Sequence, residues 1–246
     1  MDKVLYLSAS AAREITQAQT VHSNNLANAS TGGFKADFAQ ARAMQVYGDG
    51  HPGRVHAATE SPGTNLAPGS LDRTGRDLDV AIDGEGWLAV LRPDGTEAYT
   101  RYGSLQVDPA GQLRTSRGDP VLGEGGPIAL PPFENVLIGD DGTVTVQPQG
   151  QEANNLVQID RLKVVRPDSN TLVKGPDGLF SQSDGLAAPP AGEVSVQSGA
   201  LENSNVNVVQ EMTEILGLSR EFEVQLRLMQ TAKQNDEAAA KLLSIS

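Results

Sequence analysis

The side chains able to do chemistry are few and poorly grouped. Histidine occurs only at His22, His51 and His56. His51 and His56 share a stretch rich in Gly, Pro, Ser and Thr, and with nearby acids they have the residue types of a metal site. Two histidines in such a loop fix no coordination geometry, so exposed loop histidines are expected. Asp77 with Asp79, and Asp140 with Asp141, have the residue types of a glycoside-hydrolysing carboxylate pair. Alternating strand positions set Asp77 and Asp79 side by side, which is also how a solvated strand face reads. Gly84-Glu85-Gly86 lacks the third glycine and the following helix of a phosphate-cradling loop. No serine sits in a Gly-x-Ser-x-Gly elbow, and the chain has no cysteine, so thiol nucleophiles and thiolate metal sites are excluded. Nothing here calls for a cofactor or a catalytic role.

The remaining polar grouping is an asparagine cluster. Asn24, Asn25 and Asn28 lie near one end of the chain, and Asn203, Asn205 and Asn207 near the other. Asparagine favours helix ends, where its side chain bonds the backbone. Its amide also carries donors and acceptors that could bond repeated neighbours in a lattice.

Composition narrows the classes further. The 246 residues carry a formal charge of −12, with 19 scattered Lys and Arg against 31 acids. A nucleic-acid binder needs a basic footprint, and an anionic membrane attracts one, so both are disfavoured. No run approaches the roughly 20 apolar residues that cross a bilayer, so membrane insertion is not expected. The opening residues lack a cleavable signal pattern, which reads as cytoplasmic unless an uncleaved export route exists. Apolar residues make up 38% and aromatics 4%, enough for a core but not a dense aromatic one. The 26 glycines and 14 prolines suit a fold with many turns.

Three zones position these residues. Residues 3–31 read as a helix, with Val4, Leu7, Ala11, Ile15, Ala18, His22 and Leu26 at helical steps. It stops at Asn28-Ala29-Ser30-Thr31-Gly32-Gly33. Residues 207–243 carry a heptad series through Val208, Met212, Ile215, Ser219, Phe222, Leu226 and Met229, opened by Asn207 as a cap. Between them, 70–200 reads as β. Leu78, Val80 and Ile82 alternate with Asp77, Asp79 and Ala81, and turn signals recur at Asp94-Gly95, Ala110-Gly111, Asp141-Gly142, Asp177-Gly178 and Asp184-Gly185. Residues 45–70 read as irregular. An isolated helix with a narrow apolar stripe is marginal in water, so each end needs a partner.

Several segments resemble flagellar rod and hook proteins. Asn24-Asn25-Leu26-Ala27-Asn28 through Phe34-Lys35 resembles their N-terminal signature. Leu201-Glu202-Asn203-Ser204-Asn205 through Met212, with Arg220-Glu221-Phe222-Glu223, resembles their C-terminal one. Leu78-Asp79-Val80-Ala81-Ile82-Asp83-Gly84-Glu85-Gly86-Trp87 and Tyr99-Thr100-Arg101-Tyr102-Gly103-Ser104-Leu105 are similar to the β segments between. Gly33 and Trp87 depart from the common pattern. Met1-Asp2, Phe222 and the ending Leu242-Leu243-Ser244-Ile245-Ser246 look like the proximal-rod branch, with the distal-rod branch next.

The expected fold is therefore α+β: an all-β central domain flanked by N- and C-terminal helices that pair as a coiled coil. The expected divisions are 1–35 with 201–246 as the helical domain, 36–75 as an extended connector and 76–200 as the β-rich domain. The resemblance implies a structural subunit that stacks helically into a torque-transmitting shaft across the periplasm. It implies export through the flagellar export apparatus without a cleaved signal. Partners would be proximal and distal rod subunits, further copies of this chain and the periplasmic ring around the rod. Expected interface residues are Leu7, Ile15, Asn24, Asn25, Leu26, Asn28, Asn205, Asn207, Met212, Ile215, Phe222, Leu226 and Met229. The rival class is a secreted β-rich binding or glycan-active protein, which requires a concave site with converging acids.

Overall fold

The computed structural model describes residues 2–45, 55–60, 63–150 and 155–243. Helix α1 spans Asp2–Ala27 and helix α2 spans Val208–Leu243, with the strands between them. Neither helix contains proline. α1 ends four residues before the expected limit because Asn28 turns back, its side-chain amide donating to the Asn24 carbonyl at 3.0 Å. α2 opens as expected: Asn207 Oδ1 accepts from the backbone N–H groups of Val209 and Gln210 at 3.1 and 3.2 Å. That satisfies two donors that a helix start otherwise leaves without partners.

The chain divides into two compact units. One comprises Met1–Ala29, Ala36–Asn65 and Val206–Ser246; the other comprises Ser30–Lys35 and Leu66–Asn205. The first unit holds both helices and an antiparallel strand pair, Gln40–Gln45 with Val55–Glu60. This pair lies within the stretch read as an extended connector. Its residues lack a clean apolar alternation, so the period-two signal gives no sign of strands there.

The second unit is β throughout. Its largest sheet has five strands, in the order Val164–Val165, Trp87–Leu91, Glu97–Thr100, Phe180–Gln182 and Leu172–Lys174. Strand Trp87–Leu91 is covered on both faces. Leu88 and Val90 join the main apolar core, while Trp87 and Ala89 join a second cluster with Tyr99 and Phe180. The Trp87 and Phe180 rings meet at 4.5 Å between centroids. A three-stranded sheet adds Val136, Ile138, Val144 and Val146 to the main core.

The turns follow the glycine signals, four of them Asp-Gly and one Ala110-Gly111. Gly95, Gly111, Gly142, Gly178 and Gly185 all have φ between 72 and 84°, which side chains with a Cβ resist. All four aspartates that directly precede one of these glycines accept from the backbone N–H two residues on: Asp94 from Thr96, Asp141 from Thr143, Asp177 from Leu179 and Asp184 from Leu186. The strand read at Leu78–Ile82 is different from expectation. It covers only Val80–Ile82 and is buried on both faces. Asp79 is therefore not on a solvated face; it is buried and held by Thr74 Oγ1 at 2.8 Å and Arg76 at 3.0 Å. Asp77 stays exposed. The alternation marks the apolar side correctly but cannot show that the other side is also covered.

Candidate assembly interface

Within the first unit, α1 and α2 lie antiparallel. His22 and Asn25 of α1 reach Glu211 near the start of α2, and Gln19 reaches Ser219 further along it. His22 Nδ1 lies 2.6 Å from Glu211 Oε2. Gln19 Nε2 donates to Ser219 Oγ at 3.1 Å. Asn25 is fully buried; its amide donates to the Asp37 carbonyl and accepts from the Asp37 N–H, each at 2.9 Å.

The seam is small and polar over much of its length. α1 buries Ser8, Ala12, Ile15 and Asn25. The less exposed positions of α2 include Glu211, Ile215, Phe222, Gln225, Met229 and Ala232. Several large apolar side chains point away from it instead. Val209 is 72% exposed, Leu216 60%, Met212 53%, Leu226 41% and, on α1, Leu7 52%. Two-helix pairing hides one narrow strip per helix, and here that strip is shifted by one position at alternate steps from the strip that periodicity picks out. Glu211, which meets His22 and Asn25 there, and Gln225 take the seam positions expected for Met212 and Leu226.

The predicted interface residues thus fall into three settings. Leu7, Met212, Leu226 and Asn24 are exposed. Ile15 is buried, while Leu26, Ile215, Phe222 and Met229 are half-buried. Asn25, Asn28, Asn205 and Asn207 use their amides within the chain: Asn205 Nδ2 donates to the Ala67 carbonyl at 2.9 Å, and the others as described. The capping reading therefore accounts for Asn28 and Asn207, while Asn25 and Asn205 bond other segments of the chain. Val209 and Leu216 fall between heptad positions, so periodicity passes over them.

Of the histidines, only the His22 side chain lies among the described residues; the side chains of His51 and His56 lie outside them. Among the described residues no group of three or more His, Asp or Glu could hold a metal ion. None of their helices is long and apolar enough to cross a membrane.

The second unit contains a charged cluster that sequence reasoning missed. Glu202 Oε1 accepts from Lys35 Nζ at 2.6 Å and from the Gly69 N–H at 2.8 Å. Glu202 Oε2 accepts from Arg101 at 3.0 Å. Lys35 also donates to the Ala67 carbonyl at 2.8 Å, and Arg101 to the carbonyls of Ile82 and Gly84 at 3.2 and 2.6 Å. Arg101 lies 5.5 Å from the Trp87 ring centroid. All three charged side chains are almost wholly out of water. Burial pushes the Lys35 ammonium below the ordinary lysine value, with Glu202 opposing that shift. Burial lowers Arg101 in the same way, again against the pull of Glu202. One signal was available: each of the three conspicuous motifs carries one of these charges.

Two long helices from the chain ends, one with exposed apolar residues, and a β-rich unit fit a subunit that assembles with others. Comparisons with known proteins agree. Residues 5–35 match the family described as flagella basal body rod protein. Residues 81–146 match the flagellar hook protein FlgE/F/G D1 domain, and 197–242 the flagellar basal body rod FlgEFG protein C-terminal family. The chain is 41% identical to the flagellar basal-body rod protein FlgF of Escherichia coli (strain K12), and 40% identical to that of Salmonella typhimurium, over the full length of each. It is 33% identical to the flagellar basal-body rod protein FlgG of Buchnera aphidicola subsp. Schizaphis graminum, over 87% of this chain and 89% of that one. The chain belongs to the flagellar basal-body rod protein family. It is a structural rod subunit, not an enzyme, and it associates with other rod subunits.

Proposed function

We propose that the chain occupies the proximal rod, where its terminal helices pair as a coiled coil and dock on neighbouring subunits through their outward apolar face. The observation that carries this reading is the turned-out arrangement of α2. Val209, Met212, Leu216 and Leu226 are exposed while Glu211 and Gln225 sit nearer the seam. Exposed apolar area of this kind is stabilised once a partner covers it, at about 25 cal/mol per Å². Head-to-tail contacts whose rotation does not close build a helical filament, which is the geometry a drive shaft requires.

In this reading Leu7, Met212 and Leu226, with Asn24, meet neighbours. Ile15, Leu26, Ile215, Phe222 and Met229 hold the helix pair together and meet neighbours along its edge. Asn25, Asn28, Asn205 and Asn207 shape the segments that present the face. The neighbours are proximal and distal rod subunits and copies of this chain, with the periplasmic ring met by the β unit. Export without a cleaved signal would deliver the chain to the periplasm. The proximal position is favoured over the distal one by the higher identity to the FlgF proteins of Escherichia coli and Salmonella typhimurium, over the full length of each, than to the FlgG protein. The glycan-active alternative is disfavoured by Asp79, whose carboxylate is held by Thr74 and Arg76.

Replacing Met212 and Leu226 together by aspartate tests the assignment in a strain whose motility depends on this subunit. The purified double variant should keep its helical circular dichroism, since both positions point outward, and swimming and recovery in basal bodies should be lost. Normal swimming would reject the docking face.

A further inference from the structure

We infer that Lys35, Arg101 and Glu202 form a charge-gated latch: the second unit closes over its two terminal segments only when the carboxylate of Glu202 arrives between the two cations. This inference concerns closure of the β unit and is independent of the subunit's place in a rod. The three side chains come from points far apart in the chain, and Glu202 is the last of them. It lies in strand Ala200–Glu202, which pairs with Leu71–Arg73. Its backbone carbonyl accepts from the Gly33 N–H at 2.7 Å, and the Asn205 N–H donates to the Phe34 carbonyl at 3.2 Å. The segment before the N-terminal signature's lysine and the segment after Glu202 are thus stitched together at this point.

The charge count sets the direction. Two cations share one carboxylate, with side-chain exposures of 0% for Lys35, 4% for Arg101 and 1% for Glu202. Before residue 202 joins, closure would bring two like charges out of water with no counter-ion, which is strongly unfavourable. The open form, in which both remain hydrated, is then preferred. After Glu202 joins, each cation has a charge-assisted hydrogen bond and carbonyl acceptors besides. The Arg101 Nε is buried with no acceptor, so the closed cluster depends on Glu202 rather than on surplus bonding elsewhere. The latch therefore blocks closure of an incomplete chain and completes it for a full-length one.

Two full-length variants separate a charge gate from an ordinary buried contact. Lys35→Met and Glu202→Gln each disrupt the same 2.6 Å pair. Lys35→Met leaves a one-to-one Arg101–Glu202 pair; Glu202→Gln leaves two buried cations. Amide hydrogen exchange at Gly33, Gly69 and Asn205 reports latch opening. Glu202→Gln should accelerate it at least about tenfold more than Lys35→Met does. Adding Lys35→Met to Glu202→Gln should recover about threefold or more by removing one of the like charges. A Glu202→Gln chain that fails to fold, beside a folded Lys35→Met chain, is the same result in stronger form. Equal effects of the two single variants, including failure of both to fold, or no recovery in the double variant, would overturn the gate.

Discussion

At the scale of single residues, positions that look interchangeable in sequence differ sharply in what surrounds them. Gly33 and Gly75 have similar left-handed backbones, with φ of 64 and 71°. A Cβ added to Gly33 would lie 2.5 Å from the Arg101 carbonyl oxygen, whereas one added to Gly75 meets nothing within 4 Å. Both alanine variants incur the left-handed penalty of about 1 kcal/mol; Gly33→Ala should lose at least about 1 kcal/mol more in urea unfolding, because the backbone it strikes cannot swing away. Turn aspartates give a second residue-scale expectation. Hydrogen bonds from Thr96, chiefly its hydroxyl, hold the Asp94 carboxyl below 3.8, and those from Thr143 do the same for Asp141. For Asp108 the leading cause is the Gln112 N–H. A folded value below the unfolded one means that these groups contribute stability fully above about 3.8 and lose it as the pH falls through the depressed folded values. Urea midpoints of the wild type should therefore fall in that acid window, and Asp108→Asn should flatten the fall by removing one such group.

At the scale of elements, legibility followed the kind of signal. Both helices were readable because long runs of apolar residues at steps of three and four, without proline, match no other regular backbone, and Asn207 marked the start of α2 by its capping chemistry. The hairpin turns were readable because Asp-Gly states its own backbone requirement. The strand pair at Gln40–Gln45 and Val55–Glu60 was not, since strand pairing there has no periodic mark. The seam between α1 and α2 was half legible. Periodicity found Ile15, Ile215, Phe222 and Met229, but it assigned Met212 and Leu226 inward, because a stripe alone cannot tell which of two adjacent strips meets the partner. The Lys35–Glu202 pair was only hinted at: both residues lie in conspicuous motifs, but nothing local in a sequence announces a contact made across most of its length. α2 also contains Gly217, with open space where a Cβ would stand. Gly217→Ala should raise helix stability by about 0.5–1 kcal/mol, read from the thermal loss of helical dichroism. No gain would mean that a contact not visible in the single chain surrounds that position.

At the scale of the whole molecule, the chain is a set of parts whose apolar surfaces are not all used by the chain itself. Its charge of −12 opposes the approach of identical copies, so association must rest on close apolar contact rather than on attraction at a distance. In the proposed assembly the outward residues of α2 supply that contact, and the family to which the chain belongs supplies the setting. A native sequence without cysteine makes the decisive measurement clean. Leu216→Cys, introduced on the outward face and labelled with a short bifunctional cross-linker in intact basal bodies, should give a product joining this chain to another rod subunit. Recovery of labelled but uncross-linked chain alone, from basal bodies that contain it, would contradict the claim that this face meets a neighbour.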